Sequence, residues 1–226
     1  MTSSAGILRQ LRSRAKPANV AGMNRFGMTT KKRLGISMPE LRRIAKQTGT
    51  DHTAAMRLWK TGIPEARIVA SMIADPALMT SNEMDRWAAD LDSWDVCDQV
   101  CMNLFEKTRF ASEKITESSR REEEFVKRAA FALIACLAWH DKELPDRKFI
   151  RSLKIIKRAS TDDRNFVKKA VNWALRGIGK RNLRLNRMAI KTAHEIRALD
   201  SRASRWIAAD AIRELESPGI RKRLRT

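Results

Sequence analysis

Phe125-Val126-Lys127-Arg128-Ala129-Ala130 recurs as Phe166-Val167-Lys168-Lys169-Ala170-Val171, 41 residues later. A third copy, Trp206-Ile207-Ala208-Ala209-Asp210-Ala211, follows 40 residues on with its charges lost. Around these copies apolar residues return at spacings of three and four, β-branched runs are short, and no Asn-Gly or Asp-Gly hairpin signal occurs. Breaks fall at Pro39, Gly49, Gly62-Ile63-Pro64, Asp75-Pro76, Pro145 and Ser217-Pro218-Gly219. Asp51, Thr80, Ser93 and Thr161 read as helix N-caps, and Ser118-Ser119-Arg120-Arg121-Glu122 reads as the cap of a long apolar helix. A period near 40 with two helices per unit is the pattern of HEAT-like repeats, stacked into an α-solenoid with a long concave face. The expected fold is therefore all-α, a HEAT-like superhelix in one domain over residues 1–226. Residues 1–16 would be a basic first helix and residues 217–226 a basic flexible tail.

The chain carries 46 Lys/Arg against 26 Asp/Glu, a net charge of +20. That excess is uneven: +10 over residues 1–50, −4 over 51–120 and +14 over 121–226. Basic flanks around an acidic middle fit a surface that grips a polyanion on both sides, and nucleic acid is the leading partner class. The plain alternative is a solvated basic surface. Cys97, Cys101 and Cys136 lie in apolar helical contexts without the spacing of a metal site, and His52, His140 and His194 are scattered. Buried reduced thiols in a cytosolic protein account for the cysteines. The longest apolar run, Phe131 to Trp139, is too short to span a bilayer. The basic N-terminus loosely fits a transit peptide and reads better as the first helix of the domain.

Ser93-Trp94-Asp95-Val96-Cys97-Asp98 holds the chemistry. Trp94 and Asp98 are four apart, on one side of a helix. An acid placed where a polyanion docks is unfavourable unless it has a task. On spacing alone, Asp98 reads equally as a surface acid paired with a nearby cation, and Trp94 and Trp173 read equally as core. Asp95 reads as a first-turn acid favoured by the helix dipole. Trp59, Trp87, Trp139 and Trp206 read as packing residues.

Leu58-Trp59-Lys60-Thr61-Gly62-Ile63 with Glu65-Ala66-Arg67, then Asp92 to Asp95, Phe125 to Arg128 and Phe166 to Arg176, occur in an order that resembles the DNA alkylation repair family of AlkD type. The resemblance runs from about Pro17 to Leu215. It implies a monofunctional DNA glycosylase releasing 3-methyladenine or 7-methylguanine from duplex DNA, without flipping the base. It also implies a cytoplasmic monomer with no cofactor, metal or obligate protein partner. The family's Trp and Asp, four apart in the central repeat, match Trp94 and Asp98. An Arg in the next repeat matches Arg128, and a Trp in the one after matches Trp173. Departure of the base builds positive charge at C1′, so a carboxylate there stabilises it and orients water, the job given to Asp98. Trp94 and Trp173 offer π faces to a cationic base or sugar, and Arg128 would hold the adjoining phosphate. Lys127, Lys168, Lys169, Arg176, Lys180 and Arg181 form the expected phosphate-contacting set, against the plain reading of a solvated helix face. Two rival classes stand beside this one: a HEAT-like relative that binds bent or branched DNA without excising bases, and a scaffold for RNA or an acidic protein.

Overall fold

In a computed structural model, residues 3–224 are described, and among them every regular element is helical. The chain divides between Ala111 and Ser112 into two compact units. The first contains α1 (Ser4–Ser13), α2 (Pro17–Arg25), α3 (Met38–Thr48), α4 (His52–Trp59), α5 (Pro64–Ile73), α6 (Ser81–Ala89) and α7 (Trp94–Asn103), then a 3-10 turn at Phe105–Lys107. From the boundary run α8 (Ala111–Ser118), α9 (Glu124–His140), α10 (Asp146–Ala159), α11 (Asn165–Gly179), α12 (Leu183–Arg197), α13 (Arg202–Leu215) and α14 (Pro218–Arg223).

Local chemistry sets the ends of these helices. Asp51 accepts the Ala54 N–H at 2.8 Å and starts α4, and Thr80 with Glu83 forms a reciprocal capping box on α6. Other expected caps shift. Ser93 stands at the N-cap of α7, but its hydroxyl donates to Asp95 instead of accepting from the helix. The N-cap of α11 is Arg164, not Thr161, and that of α9 is Glu123, beyond the expected Ser118–Glu122 stretch. The tail read as flexible is helical over Pro218–Arg223: Pro218 fits the first turn and the Ser217 hydroxyl accepts the Ile220 N–H. Met1, Thr2, Arg225 and Thr226, at the ends of the expected basic helix and tail, lie outside the described residues.

In the first unit α5 packs on α3, α4 and α7 and is buried at eight of its ten positions. Trp59 and Trp87 stack at 3.8 Å in its core, as their packing role predicts. Glu65 of α5 is 1% exposed, and its carboxylate accepts the N–H groups of Leu34 and Gly35 at 3.0 and 2.8 Å. The loop is also held by the Lys16 N–H, which donates to the Leu34 carbonyl at 2.7 Å. Gly35 takes φ +76°, and a Cβ there would press on the Lys16 carbonyl oxygen. Gly35→Ala is therefore expected to lower the unfolding free energy by about 3 kcal/mol, combining a positive-φ cost with a backbone clash. Urea unfolding followed by Trp fluorescence measures it, and a loss below about 1 kcal/mol would mean the loop relaxes freely.

The sequence repeat maps onto one layer of the second unit. Phe125 opens α9, Phe166 opens α11 and Trp206 lies in α13. The α11 helix packs between α9 and α13, while α10 and α12 pack on each other and against this row. Contact between α9 and α11 is close because small residues face one another: a Cβ on Gly177 would lie 3.5 Å from both Ala135 Cα and Ala138 Cβ. Phe125 and Phe166 meet at 5.5 Å between ring centroids. Phe131, Phe149, Ile156 and Ile178 are 0–1% exposed, each contributing about 1.5–3 kcal/mol by burial.

Candidate nucleic-acid interface

Trp94 and Asp98 belong to the first unit and Arg128 and Trp173 to the second. On α7 the buried stripe is Val96, Cys97, Val100 and Cys101, and Trp94 and Asp98 share one flank of it, both half-buried. The first turn of α7 is firmly held. Arg33, 8% exposed, forms two bonds to Asp95, at 2.8 and 3.0 Å, and a third to the Ser93 hydroxyl at 3.2 Å. Asp95 is thus a first-turn acid, as expected, and also the anchor of a buried cation. The Trp94 indole N–H donates to the Phe26 carbonyl at 2.9 Å, and Asn103 at the far end of α7 donates to Ser71 of α5 at 3.1 Å. Phe26 itself is 72% exposed beside this bond. Trp94 and Asp98 are therefore presented one turn apart on a helix fixed at both ends.

In the second unit, Trp173 is half-buried and forms one wall of an open cleft of about 520 Å³. Trp139, which is 63% exposed, lines it as well, together with Ala135, Ala138 and Gly177. Lys142, Lys180 and Arg223 supply three cations to its lining. Two indoles with a basic rim are a combination that stacks on and neutralises a nucleic-acid strand. Trp139 was expected in the core because it closes the apolar run from Phe131. The overlooked signal is the polar His140-Asp141 pair that ends the helix immediately after it. Trp206, also expected to pack inside, is 41% exposed with the Lys168 ammonium 5.3 Å above its ring.

Most of the remaining candidate cations are already engaged by carboxylates or carbonyls. Arg128 is 5% exposed and donates to the Phe166 carbonyl at 2.6 Å, tying α9 to the start of α11. Trp173 lies seven residues past Phe166, about 10 Å along the helix, so Arg128 and Trp173 stand at different levels of the α9–α11 pair. Lys127 pairs with Asp162 at 3.3 Å, and Arg164 joins that acid at 2.6 Å while donating to the Glu122 carbonyl at 2.5 Å. Arg176 pairs with Asp210 at 3.6 Å and with Glu214, which also takes Lys180 at 2.7 Å. Asn172 adds a 2.7 Å bond to Asp210. The Arg181 guanidinium donates to the carbonyls of Ala138 and Asp141 at 3.0 and 2.7 Å and stacks 4.3 Å from the Phe149 ring. Burial pulls its pKa down, against the opposing pull of Asp146 and Asp141. Like charges repeated on neighbouring helices repel, and the chain answers by supplying an acid from the next repeat. Lys127, Arg176 and Lys180 reach a phosphate only by releasing a carboxylate. Lys169 is exposed.

Burial alone would raise the Glu214 pKa, but the bonds from Lys180 and Arg176 outweigh it and hold the carboxyl below its ordinary value. A depressed carboxyl pKa gives stability that is present above the unfolded value and lost as pH falls through the folded one. Glu214→Gln is expected to be less stable than wild type at pH 7, with the difference vanishing as pH drops below the usual carboxylate range. Thermal melts between pH 3 and 7 test this; a gap that persists undiminished at pH 3 would remove the ion pair as its cause.

Paired helices repeating every 40 or so residues, with small residues at their contacts, define a HEAT-like helical-repeat protein. The chain belongs to the DNA alkylation repair enzyme family, whose model matches residues 7–215. A solved structure from "a new family of proteins related to the HEAT-like repeat DNA glycosylases with affinity for branched DNA structures" shares the fold at a TM-score of 0.77. Its identity is 18%, over 94% of this chain and 95% of that one. No curated protein matches the chain significantly in sequence. No helix among the described residues is long and apolar enough to cross a membrane, and no cluster of three metal-ligating side chains forms among them.

Proposed function

We propose that the protein is a monofunctional DNA glycosylase that hydrolyses the N-glycosidic bond of cationic N3- or N7-alkylated purines in duplex DNA. The observation that carries this reading is Trp94 and Asp98 one turn apart, both partly open to solvent, on a helix anchored by Arg33 and Phe26. Such a base is already a good leaving group, so little general-acid help is needed. What limits the rate is positive charge growing at C1′ as the bond lengthens. The Asp98 carboxylate stabilises that charge and takes a proton from the attacking water, while the Trp94 ring faces the cation. Because the base need not be protonated in a closed cavity, excision proceeds without extruding it, unlike most chemistry on bases. The Trp139–Trp173 cleft supports a nucleic-acid strand against the second unit. No lysine is assigned as a Schiff-base nucleophile, so the abasic strand is left intact.

A second reading is binding of bent or branched DNA without excision. It is favoured by Arg128, which is turned into the Phe166 carbonyl where a phosphate clamp is called for. Release of free 3-methyladenine or 7-methylguanine from methylated duplex DNA separates the two. Excision predicts accumulation of free base and abasic sites; binding without product selects the second reading.

A further inference from the structure

The positive charge of the second unit is not concentrated on the layer built from the sequence repeat. Helices α9, α11 and α13 carry eight Lys/Arg (Lys127, Arg128, Lys168, Lys169, Arg176, Arg202, Arg205, Arg213) against three acids (Glu124, Asp210, Glu214). Helices α10 and α12 carry ten (Arg147, Lys148, Arg151, Lys154, Lys157, Arg158, Arg184, Arg187, Lys191, Arg197) against two, Asp146 and Glu195. Arg147, Arg151, Lys154 and Arg158 recur at spacings of four, three and four, and all are exposed. Arg184, Arg187 and Lys191 do the same on α12. Among the described residues, none of these seven has a carboxylate within ion-pair distance. Glu195 is occupied by Lys157 at 2.8 Å, a bond that also ties α10 to α12.

Each stripe points straight away from the core. On α10 the buried residues are Phe149, Ser152, Leu153 and Ile156, and on α12 they include Leu185, Ala189, Ala193 and Ile196. At 3.6 residues per turn, the midline of each basic stripe is about 180° from the midline of its buried stripe. Seven unpaired like charges on two adjoining helices are costly to the fold and are retained where a polyanion offsets them.

We propose that the α10–α12 face is a second nucleic-acid surface, holding the phosphate backbone of a duplex segment independently of the α9–α11–α13 layer. The stripe from Arg147 to Arg158 is about 17 Å long. A duplex presents about one charge per 1.7 Å, or about ten over that length, enough to offset all seven unpaired cations. No Phe, Trp or Tyr side chain is exposed on either helix, so the face lacks the large stacking platforms that favour single strands. Leu183 is the one exposed large apolar residue on the pair, too little to insert into a lipid surface. A duplex arm held on this face leaves the repeat layer and its Trp139–Trp173 cleft open to a second one. This inference goes beyond base excision and does not depend on it.

The test is duplex binding by fluorescence anisotropy over 50–200 mM salt, comparing wild type with Arg151→Gln/Lys154→Gln/Arg187→Gln/Lys191→Gln. Losing four phosphate contacts is expected to reduce the slope of log K against log salt by about 3 to 4, a change worth about a hundred-fold in affinity across that range. Arg151→Lys/Arg187→Lys should behave as wild type, since charge and not shape does the holding. Co-sedimentation with phosphatidylserine vesicles is run in parallel. An unchanged slope in the quadruple variant, no duplex binding by wild type, or loss of vesicle binding with duplex binding intact would each overturn the proposal. Base release at saturating methylated duplex in low salt should be the same in both proteins, so failure of this surface is read separately from failure of excision.

Discussion

Asp98→Asn is expected to reduce release of free base from methylated duplex DNA by about two to three orders of magnitude, the scale seen when one preorganised electrostatic contact to a transition state is removed. The substitution keeps side-chain volume and helix position while removing the charge. Duplex affinity should be unchanged or higher, because a negative group facing a polyanion has been neutralised. A fall in rate with binding retained is the signature of an interaction made only in the transition state. Single-turnover release on methylated DNA, beside anisotropy on the same duplex, reads both quantities. A variant within three-fold of wild type would remove Asp98 from the chemistry.

The second large effect falls on stability. Arg33→Met is expected to cost the first unit about 3–5 kcal/mol, since it strands Asp95 in a site where both partners are largely shielded from water. The side chains of Arg33 and Asp95 are 2% and 14% exposed. Adding Asp95→Asn to Arg33→Met should recover part of the loss, because the uncompensated charge is then gone. Equilibrium urea unfolding of the two singles and the double gives the coupling directly. A single-variant loss below about 1 kcal/mol, or a double no better than Arg33→Met, would show that the pair is not what secures α7. Base release should fall along with stability, since α7 carries both Trp94 and Asp98.

The repeat at Phe125, Phe166 and Trp206 was enough to read the helical architecture, because a helix that must pack on an equivalent neighbour keeps the same contact residues. The Trp94–Asp98 spacing was legible for a similar reason: both residues lie on a single helix. What was hidden involves partners distant in sequence. Nothing local to Lys127 announces Asp162, and nothing local to Arg176 announces Asp210 and Glu214 one repeat away. Runs of lysine and arginine therefore looked like phosphate contacts when several are fasteners. Exposure of Trp139 was hidden because an apolar run reads as core up to its last residue. The basic stripes of α10 and α12 were visible in the sequence but not their orientation, which depends on which face of each helix the neighbouring layer covers.

The fasteners of the second unit join residues 29 to 44 positions apart, from Asn186–Leu215 to Ser204–Ser160. None of these ties reaches beyond the adjoining repeat. A chain closed by such short loops gives up little entropy at each closure and is assembled step by step, each repeat templating the next. Within the unit, α11 is clasped on both sides, by α9 and by α13, so its amides should exchange slowest and open only when the unit opens as a whole.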